Sequence, residues 1–211
     1  FIPSLEQAGV RRVDGLVVSH SDSDHSAGAS SLRAALPVAR VYAPASLPGA
    51  RGCHRGRRWA GGEVDFRVLH PGAGETWDDN SGSCVLKVST GGGSLLLPGD
   101  LEAVAERWVA ARQGEHLPAD VLVAGHHGSR TSTTAFFLDR VRPRFAVFSA
   151  GYRNRWGFPH PEVVARLEGR GVATVDTGRC GAVTFRLGPD GVAGPDCHRD
   201  RARRLWHAPR P

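Results

Sequence analysis

The apolar residues of this chain fall into short runs that are separated by polar, glycine-rich segments. A run such as residues 121–124 has the length of one buried strand, whereas residues 63–69 alternate between apolar and polar side chains, as a half-buried strand does. Strands are predicted at residues 13–19, 40–43, 63–69, 83–88, 94–97, 121–124, 144–149, 174–176 and 182–187. The glycines at 91–93 make residues 83–88 and 94–97 a predicted hairpin.

Helices are predicted between many of these strands. They comprise a helix that ends near Gly9 and helices at residues 29–36, 101–113, 132–140 and 161–169. Strands that alternate with helices favour a layered α/β fold over a pure β-sandwich. Residues 189–211 lose the apolar pattern and carry five arginines, so we expect a basic, flexible tail there.

Composition supports one globular domain. The chain has 211 residues, of which 40% are hydrophobic and 23% charged, which is enough for a single core. No apolar run approaches the ~20 residues of a bilayer-spanning helix, and no signal peptide is evident. The formal net charge of +6 favours a polyanionic partner such as nucleic acid. An arginine-rich chain with a single lysine, Lys87, is equally typical of a GC-rich genome.

The densest group of reactive side chains follows the first predicted strand. His20, Asp22, Asp24 and His25 lie within six residues, where the chain turns and side chains can converge. Two imidazoles and two carboxylates offer nitrogen and oxygen donors without sulfur, a set that suits Zn, Mn or Fe. A polar surface loop has a similar composition, so both interpretations stay open.

Two later strand ends carry groups of the same kind. Asp100 follows the run at residues 94–97, and the pair His126 and His127 follows residues 121–124. Ligands of α/β proteins usually bind at the carboxyl ends of strands, so we expect these side chains to join the first group. The alternatives are that Asp100 caps the next helix and that a histidine is a satisfied core residue.

The segment at residues 151–160 mixes cationic, amide and aromatic side chains. Arg153, Asn154, Arg155 and Trp156 form its centre. Arginines pair with phosphates and aromatic faces stack on unpaired bases, so the segment is a candidate nucleic-acid contact. The alternative is a structural loop whose aromatics pack on the core. His160 either faces the site or caps the following helix.

Four cysteines stand at positions 53, 84, 180 and 197. Their spacing does not form a zinc ribbon. They are either free buried thiols or disulfide-bonded, and four cysteines allow three complete pairings among which the sequence cannot choose.

Together these motifs resemble the metallo-β-lactamase superfamily, and within it the DNA-internalisation competence proteins of the ComEC/Rec2 type. The resemblance covers roughly residues 1–188 and rests on the order of the segments at 13–28, 69–71, 80–86, 98–100, 126–129 and 149–161. It implies an α/β fold, an αββα sandwich over residues 1–188 that is truncated at its N-terminus, with residues 189–211 as the tail. It also implies two divalent metal ions, Zn or Mn, as cofactors.

The resemblance also implies roles for individual residues. The expected metal ligands are His20, Asp22, Asp24, His25, Asp100 and His126, with Asp100 as the natural bridge between two ions. Asp24, His126 and His127 are expected to take part in catalysis, the histidine that is not a ligand acting on the phosphate or the leaving oxygen. Ser129 and Thr131 are expected to hold a substrate phosphate.

Three departures from the superfamily pattern concern the first metal position. Asp22 stands where a second histidine is usual, Phe158 where a histidine is frequent, and Asn80 and Ser81 where a separate third-motif histidine is expected. The position formed by His20, Asp22 and Asp100 is therefore expected to bind more weakly than the other.

The leading hypothesis is a metal-dependent phosphodiesterase or nuclease domain that acts on DNA during competence-linked uptake. Its expected partners are single-stranded DNA and the membrane channel region of a parent protein. That parent is expected in the cell inner membrane, with this domain extracytoplasmic (periplasmic). The alternatives are a catalytically inactive domain that binds DNA or a partner of the same channel, and a metallohydrolase for another phosphoester. No Gly-x-Ser-x-Gly segment supports a serine hydrolase.

Overall fold

The computed structural model describes residues 2–44, 49–78, 80–202 and 204. The strands are β1 (Leu16–Val17), β2 (Val41–Ala43), β3 (Arg51–Gly52), β4 (Arg58–Gly61), β5 (Val64–His70), β6 (Val85–Thr90), β7 (Gly93–Leu97), β8 (Val121–Val123), β9 (Phe145–Phe148), β10 (Ala173–Asp176), β11 (Val183–Gly188) and β12 (Gly191–Cys197). The α-helices are α1 (Ile2–Gln7), α2 (Ser23–Ser26), α3 (Gly28–Ala35), α4 (Ala103–Gln113), α5 (Ala135–Val141), α6 (Pro161–Glu168), α7 (Thr177–Cys180) and α8 (His198–Arg201). Two 3₁₀ turns, Gly114–His116 and Gly125–Gly128, precede and follow β8.

The largest sheet has seven strands in the order β10-β9-β8-β7-β6-β5-β4. The strands from β7 to β10 run parallel, and those from β4 to β7 run antiparallel. Apolar side chains from this sheet and from α4, α5 and α6 form the main core, including Leu96, Leu122, Val109, Phe137 and Val163. One face of the sheet is therefore covered by helices.

The second sheet is a parallel group of three strands in the order β1-β2-β3, and it packs on the other face of the large sheet. The ring of Tyr42 in β2 stacks on Trp59 in β4 with the ring centroids 4.6 Å apart. A smaller cluster that includes Val17, Val68 and Leu86 fills the space between the sheets. The predicted α/β class with layered sheets is confirmed.

Several elements differ from the predicted ones. The first strand pairs only over Leu16–Val17, with an isolated bridge from Val13 to Val38. The strands β3 and β4 were not predicted, because their segments are rich in arginine and glycine and mostly exposed, so they show no apolar alternation.

The structure also differs from the expectation of a flexible tail from residue 189. The strand β12 pairs antiparallel with β11, and the helix α8 follows it. Glycine, proline and aspartate within this exposed hairpin remove the apolar pattern on which the prediction depended. Residues 203 and 205–211 of the expected tail lie outside the described residues.

All four cysteines are disulfide-bonded, so the interpretation as free thiols is wrong. Cys53, just after β3, is joined to Cys84, just before β6, and this bond connects the two sheets. Cys180 of α7 is joined to Cys197 at the end of β12. The second bond fastens the C-terminal hairpin to the body of the domain.

A buried glutamate organises the segment that links the second 3₁₀ turn to α5. Glu106 of α4 is fully buried and accepts hydrogen bonds from the backbone N–H groups of Thr133 and Thr134, the latter at 2.8 Å. Arg166 of α6 donates to the carbonyl of Thr133 at 2.8 Å. Burial raises the pKa of Glu106 to about 7, and its hydrogen bonds and Arg166 oppose that rise only in part.

Replacing Leu122 should test the position of β8 at the centre of the sheet. Leu122 is completely buried, so Leu122→Ala should lower the free energy of unfolding by about 2–5 kcal/mol through lost burial and a residual cavity. Val104 of α4 is 75% exposed and provides the control, since Val104→Ala should change stability by less than about 0.5 kcal/mol. Urea unfolding measures both. A decrease below about 1 kcal/mol for Leu122→Ala would contradict the central placement.

Glu106 should make stability depend on pH in a defined direction. The pKa of Glu106 is raised from 4.5 to about 7 in the folded chain. The stability that the protonated carboxyl contributes is therefore fully present below about pH 4.5 and is lost as the pH rises through about 7. Between about pH 4.5 and 7, the free energy of unfolding of the parent should therefore fall by about 3 kcal/mol relative to that of Glu106→Gln. Urea unfolding at several pH values measures it. A difference that stays constant with pH would show that folding does not raise the pKa of Glu106.

Candidate metal centre

The candidate metal centre lies where the ends of several strands from both sheets meet. His20 follows β1, and the short helix α2 presents Asp24 and His25. Asp100 lies in the turn after β7, and His127 lies in the 3₁₀ turn after β8. Because β7 and β8 are parallel neighbours, their carboxyl ends fall at the same edge of the large sheet. The predicted convergence of the strand-end groups is thus what the structure shows.

The turn that carries Asp100 passes very close to its neighbours. Gly99 has a φ of +60°, and a Cβ atom there would lie 2.9 Å from the Cβ atoms of both Ser19 and Ser83. The backbone N–H of Asp100 donates to the Ser83 hydroxyl at 3.0 Å. Helix α4 begins at Ala103 with Glu102 as its N-cap, so Asp100 is not the helix cap that the sequence allowed.

The Asp100 carboxylate is at the middle of the centre, and the residue is only 4% exposed. Imidazole nitrogens from four histidines lie within 4.0 Å of its oxygens. The Nε2 atom of His25 is 3.2 Å from Oδ1, whereas those of His126, His127 and His20 are 3.7, 3.7 and 4.0 Å from Oδ2. Both carboxylate oxygens therefore face nitrogen donors.

Two overlapping triads could each bind a cation. The first is His20, His25 and Asp100, and the second is Asp24, His25 and His127, with the ligand atoms of each triad within 4.8 Å of one another. Of the predicted ligands, Asp22 and His126 belong to neither triad, although an Asp22 oxygen is 3.5 Å from His20 Nε2. His127, predicted as catalytic, is placed where His126 was expected as a ligand.

Hydrogen bonds orient the second triad toward the cavity. The Nδ1 atom of His127 lies 2.9 Å from the carbonyl oxygen of Ser149, to which it donates. The Nε2 atom of the same ring lies 3.1 Å from an Asp24 oxygen and 3.2 Å from His25 Nε2. The Nδ1 atom of His25 is 2.9 Å from the Ser19 hydroxyl. Metal-bound histidines are typically oriented through their other nitrogen in this way, so this donor set fits a divalent metal.

The charges within the centre reinforce one another. Burial alone would raise the pKa of Asp100, but the hydrogen bond from His25 and the nearby histidine charges outweigh it and lower the pKa. Burial alone would lower the pKa of His25, but Asp100, Asp24 and Asp22 outweigh it and raise the pKa. The Asp100 carboxylate therefore remains anionic although it is buried.

The two adjacent histidines have strained backbones. His126 and His127 have φ values of 49° and 54°, in the left-handed region that costs non-glycine residues roughly 1–2 kcal/mol each. The following Gly128 has a φ of +87°, and a Cβ atom there would lie 2.7 Å from the Phe148 ring and 2.8 Å from Pro159. The turn places two imidazoles side by side at one strand end.

A cavity of about 360 Å³ opens beside the centre. It is lined by Asp22, Asp24, Asp100, His126, His127, Ser149, Ala150, Gly151, Asn154, Trp156 and Phe158. Ser129 and Thr131, the predicted phosphate contacts, are not among the lining residues. Their hydroxyls lie 3.1 Å apart, and Thr131 donates to Glu102 at 3.1 Å.

Residues 151–158 form one side of this cavity, and we refer to them as the rim loop. Asn154 folds the loop, since its side chain donates to the Gly151 carbonyl and accepts from the Phe158 N–H at 2.9 Å. Arg155 lies over the ring of Trp156 at 4.4 Å, and Trp156 is 64% exposed. The aromatic side chain at the centre of the loop is therefore available to solvent rather than packed on the core.

The structure also decides the role of His160 and shows contacts that the sequence did not indicate. His160 caps α6, because its Nδ1 accepts from the Glu162 N–H at 3.3 Å. Ser149 orients His127, and Glu102 lies 3.4 Å from His126 Nδ1. The local sequence predicts neither contact. The first uses a backbone carbonyl, which every residue has, and Glu102 resembles an ordinary acidic residue at the start of a helix.

Residues 2–152 match the metallo-beta-lactamase superfamily. The chain belongs to this superfamily. Among curated relatives, the domain is 43% identical to "Competence protein ComA" of Neisseria gonorrhoeae over 91% of the chain and 28% of that protein. It is 38% identical to "Recombination protein 2" of Haemophilus influenzae over 90% of the chain and 24% of that protein. The predicted resemblance to the ComEC/Rec2 proteins is confirmed.

A third relative, "ComE operon protein 3" of Bacillus subtilis, is 33% identical over 88% of the chain and 26% of that protein. The domain thus spans about a quarter of the length of these relatives. Among solved structures, "CmlA beta-hydroxylase E377D mutant" shares the fold with a TM-score of 0.54 and 16% identity, over 79% of the domain and 43% of that chain. In the described part of the domain, no helix combines the length and apolarity needed to cross a membrane.

The two neighbouring histidines allow an internally matched test of the ligand assignment. His127→Ala should remove most of one bound metal equivalent, because His127 Nε2 belongs to the second triad. His126→Ala should retain more metal, although it changes a residue of the same type in the same strained turn. Metal content by mass spectrometry after dialysis against Zn or Mn measures both. Greater loss of metal for His126→Ala would reverse the assignment.

Proposed function

We propose that this domain is a metal-dependent phosphodiesterase that cleaves single-stranded DNA as part of a DNA-uptake protein. One observation carries the proposal: the metal centre and the cationic, aromatic rim loop border the same cavity. The metal centre suits hydrolysis of a phosphodiester, and the rim loop suits binding of an unpaired strand. The net charge of +6 favours the same polyanionic substrate.

The rim loop is suited to unpaired nucleotides in two ways. Trp156 and Tyr152 are 64% and 49% exposed, so their ring faces are accessible for stacking on bases. Arg153 and Arg155 lie beside these rings at 5.3 and 4.4 Å, where their guanidinium groups can pair with the phosphates between stacked bases. Trp156 also lines the cavity, so a base stacked on it would lie next to the metal centre.

The residues of the centre divide into ligands and a proton donor. His20, Asp24, His25, Asp100 and His127 would hold two divalent ions, Zn or Mn. His25 would serve only one of them through Nε2, and the two Asp100 oxygens, which face different histidines, would contribute to both sites. When bound, such ions activate water and stabilise charge on the phosphate.

His126 is then available for proton transfer to the leaving oxygen. It lines the cavity, and the Glu102 carboxylate lies 3.4 Å from its Nδ1, close enough to stabilise a protonated ring. The Phe158 ring, 6.0 Å from the His126 ring, limits the access of water on that side.

The cellular setting is inferred from the relatives and from the disulfides. The relatives include a protein named for competence, which supports a role in DNA uptake with the membrane channel region of a parent protein as partner. Two disulfides are typical of an oxidising compartment. They support an extracytoplasmic, periplasmic position for the domain, with the parent protein in the inner membrane.

The main alternative is a catalytically inactive domain that binds DNA or a channel partner. It is favoured by Asp22, which replaces a usual histidine, lies outside both triads and has a side chain that is 49% exposed. A metallohydrolase for a different phosphoester is the other alternative. Metal content and a panel of DNA and small phosphodiester substrates distinguish the nuclease, the inactive domain and the other hydrolase.

Cleavage of single-stranded DNA should depend on Asp100. The domain supplied with Mn or Zn should degrade an end-labelled oligonucleotide, and Asp100→Asn should abolish the activity because it removes the bridging charge. Asp190→Asn, in an exposed turn of the C-terminal hairpin, serves as the charge-matched control and should keep it. Gel electrophoresis measures the products. Metal binding without cleavage would indicate the inactive domain, and cleavage of only small phosphodiesters would indicate the other hydrolase.

The rim loop should contribute two separable terms to DNA affinity. Replacing Arg153 and Arg155 by alanine should weaken binding and flatten the salt dependence by roughly 0.7 for each phosphate that is no longer neutralised, because fewer counterions are released. Trp156→Ala should cost about 1–3 kcal/mol with little change in salt slope, because stacking releases no counterions. Fluorescence anisotropy with Asp100→Asn as the background prevents cleavage. Arg11→Ala, at an exposed position in the chain before β1, is the control.

A further inference from the structure

A second cavity, of about 580 Å³, lies over the outer strands of the large sheet. Its floor includes Arg58 of β4, Arg67 of β5 and Lys87 of β6, and its wall includes His116 and Pro118 from the connection between α4 and β8. We refer to it as the basic pocket. It shares no lining residue with the cavity beside the metal centre.

Strand register explains why three cations meet in the basic pocket. Arg58 pairs with Arg67, and Arg67 pairs with Lys87, so all three stand on one line across the sheet and on one face of it. Further along the same face, Val85 packs into the main core under the helices. Helix α4 ends at Gln113 and does not cover the sheet face beyond it. That part of the face forms a concave, charged surface.

The cations of the basic pocket lack counter-charges. Among the described residues, no carboxylate lies within ion-pair distance of Arg58, Arg67 or Lys87. The Nη1 atom of Arg67 is buried without a hydrogen-bond partner. Lys87 Nζ donates to the carbonyl oxygen of Pro118, which is a neutral acceptor.

The nearby acids are engaged elsewhere or exposed. Asp120 accepts from the N–H and the hydroxyl of Ser94 at 2.9 and 3.1 Å. Glu115 lies 3.3 Å from His116 Nε2, and its side chain is 82% exposed. Asp65 is also exposed. None of them forms an ion pair with the cations on the floor.

The pKa values of Lys87 and His116 are lowered first by burial and then by the neighbouring cations. Burial, aided by the charge of Arg67, lowers the pKa of Lys87 to about 8, although Asp120 opposes the change. Burial also lowers the pKa of His116, and Arg67, Arg58 and Lys87 lower it further. An anion in the basic pocket would relieve both effects.

We propose that the basic pocket binds a phosphate group, carried either by the backbone of single-stranded DNA or by a free mononucleotide. Two guanidinium groups and an ammonium group on one surface offer the charge-assisted donors that phosphate oxygens accept. The buried Nη1 of Arg67 would gain the acceptor it lacks. The proposal does not depend on hydrolysis at the metal centre.

The single lysine of the chain provides a selective experiment. Pyridoxal 5′-phosphate carries both a phosphate and an aldehyde, and the aldehyde condenses with the Lys87 amine to an imine with loss of water. Borohydride then donates hydride to the imine and fixes it as a secondary amine. Peptide mass spectrometry compares Lys87 with the N-terminal amine as an internal reference. We expect preferential labelling of Lys87, much weaker labelling by pyridoxal without phosphate, and protection by inorganic phosphate.

Matched variants connect the labelling to the arginines. Arg67→Gln should lower labelling of Lys87 by about tenfold or more, because it removes a charge-assisted hydrogen bond to the phosphate. Arg33→Gln, at an exposed position in α3, should label like the parent. Thermal unfolding of both variants shows whether the fold is retained. If phosphate gives no protection and Arg67→Gln labels like the parent, the proposal is overturned.

Competing ligands distinguish the two sources of phosphate. The labelling is carried out on Asp100→Asn with a chelator present, so that neither metal nor cleavage affects the result. Protection by single-stranded DNA at lower nucleotide concentration than by deoxyadenosine monophosphate would identify the DNA backbone. Protection by the mononucleotide alone would identify a nucleotide site. If neither protects Lys87, the proposal is overturned, whereas failure of DNA cleavage in the parent would leave these results unaffected.

Discussion

A buried carboxylate surrounded by imidazoles is the constraint on which the arrangement of this domain depends. Asp100 is 4% exposed and has four histidines within 4.0 Å. An uncompensated buried charge is costly, so the surrounding backbone is shaped to bring compensating groups to it. The close approach at Gly99 and the left-handed pair at His126 and His127 both follow from that requirement.

The centre combines groups from two sheets, and this explains why the sheets must face each other closely. His20 follows a strand of the small sheet, whereas Asp100 and His127 follow strands of the large one. The stacked rings of Tyr42 and Trp59 and the bond between Cys53 and Cys84 fix the two layers against each other. Since the ligand groups sit at the ends of these strands, packing between the sheets also sets the distances within the site.

Most of the fold and the membership of the site could be predicted from the sequence, because each ligand group directly follows an apolar strand. The placement of His127 rather than His126 in a triad of potential ligands could not, since it depends on two backbone dihedral angles and on the carbonyl of residue 149. The strands β4 and β12 were missed because these exposed strands carry no apolar alternation, whereas β11 was predicted at residues 182–187. Burial of Glu106 was missed for a related reason, since a glutamate in an otherwise ordinary helix gives no sign of the backbone N–H groups it meets.

The distribution of the candidate ligands over two sheets would also make metal supply a determinant of how long the folded domain survives. An ion bound to His20, His25 and Asp100 would link the two layers, as the Cys53–Cys84 bond does by covalent chemistry. A ligand that binds only the folded state adds its binding free energy to stability. The two links respond to different conditions, one to chelation and the other to reduction. A domain exposed to either stress alone would keep the other link. Side-chain packing alone would hold the layers only where scarce metal and a reducing milieu coincide.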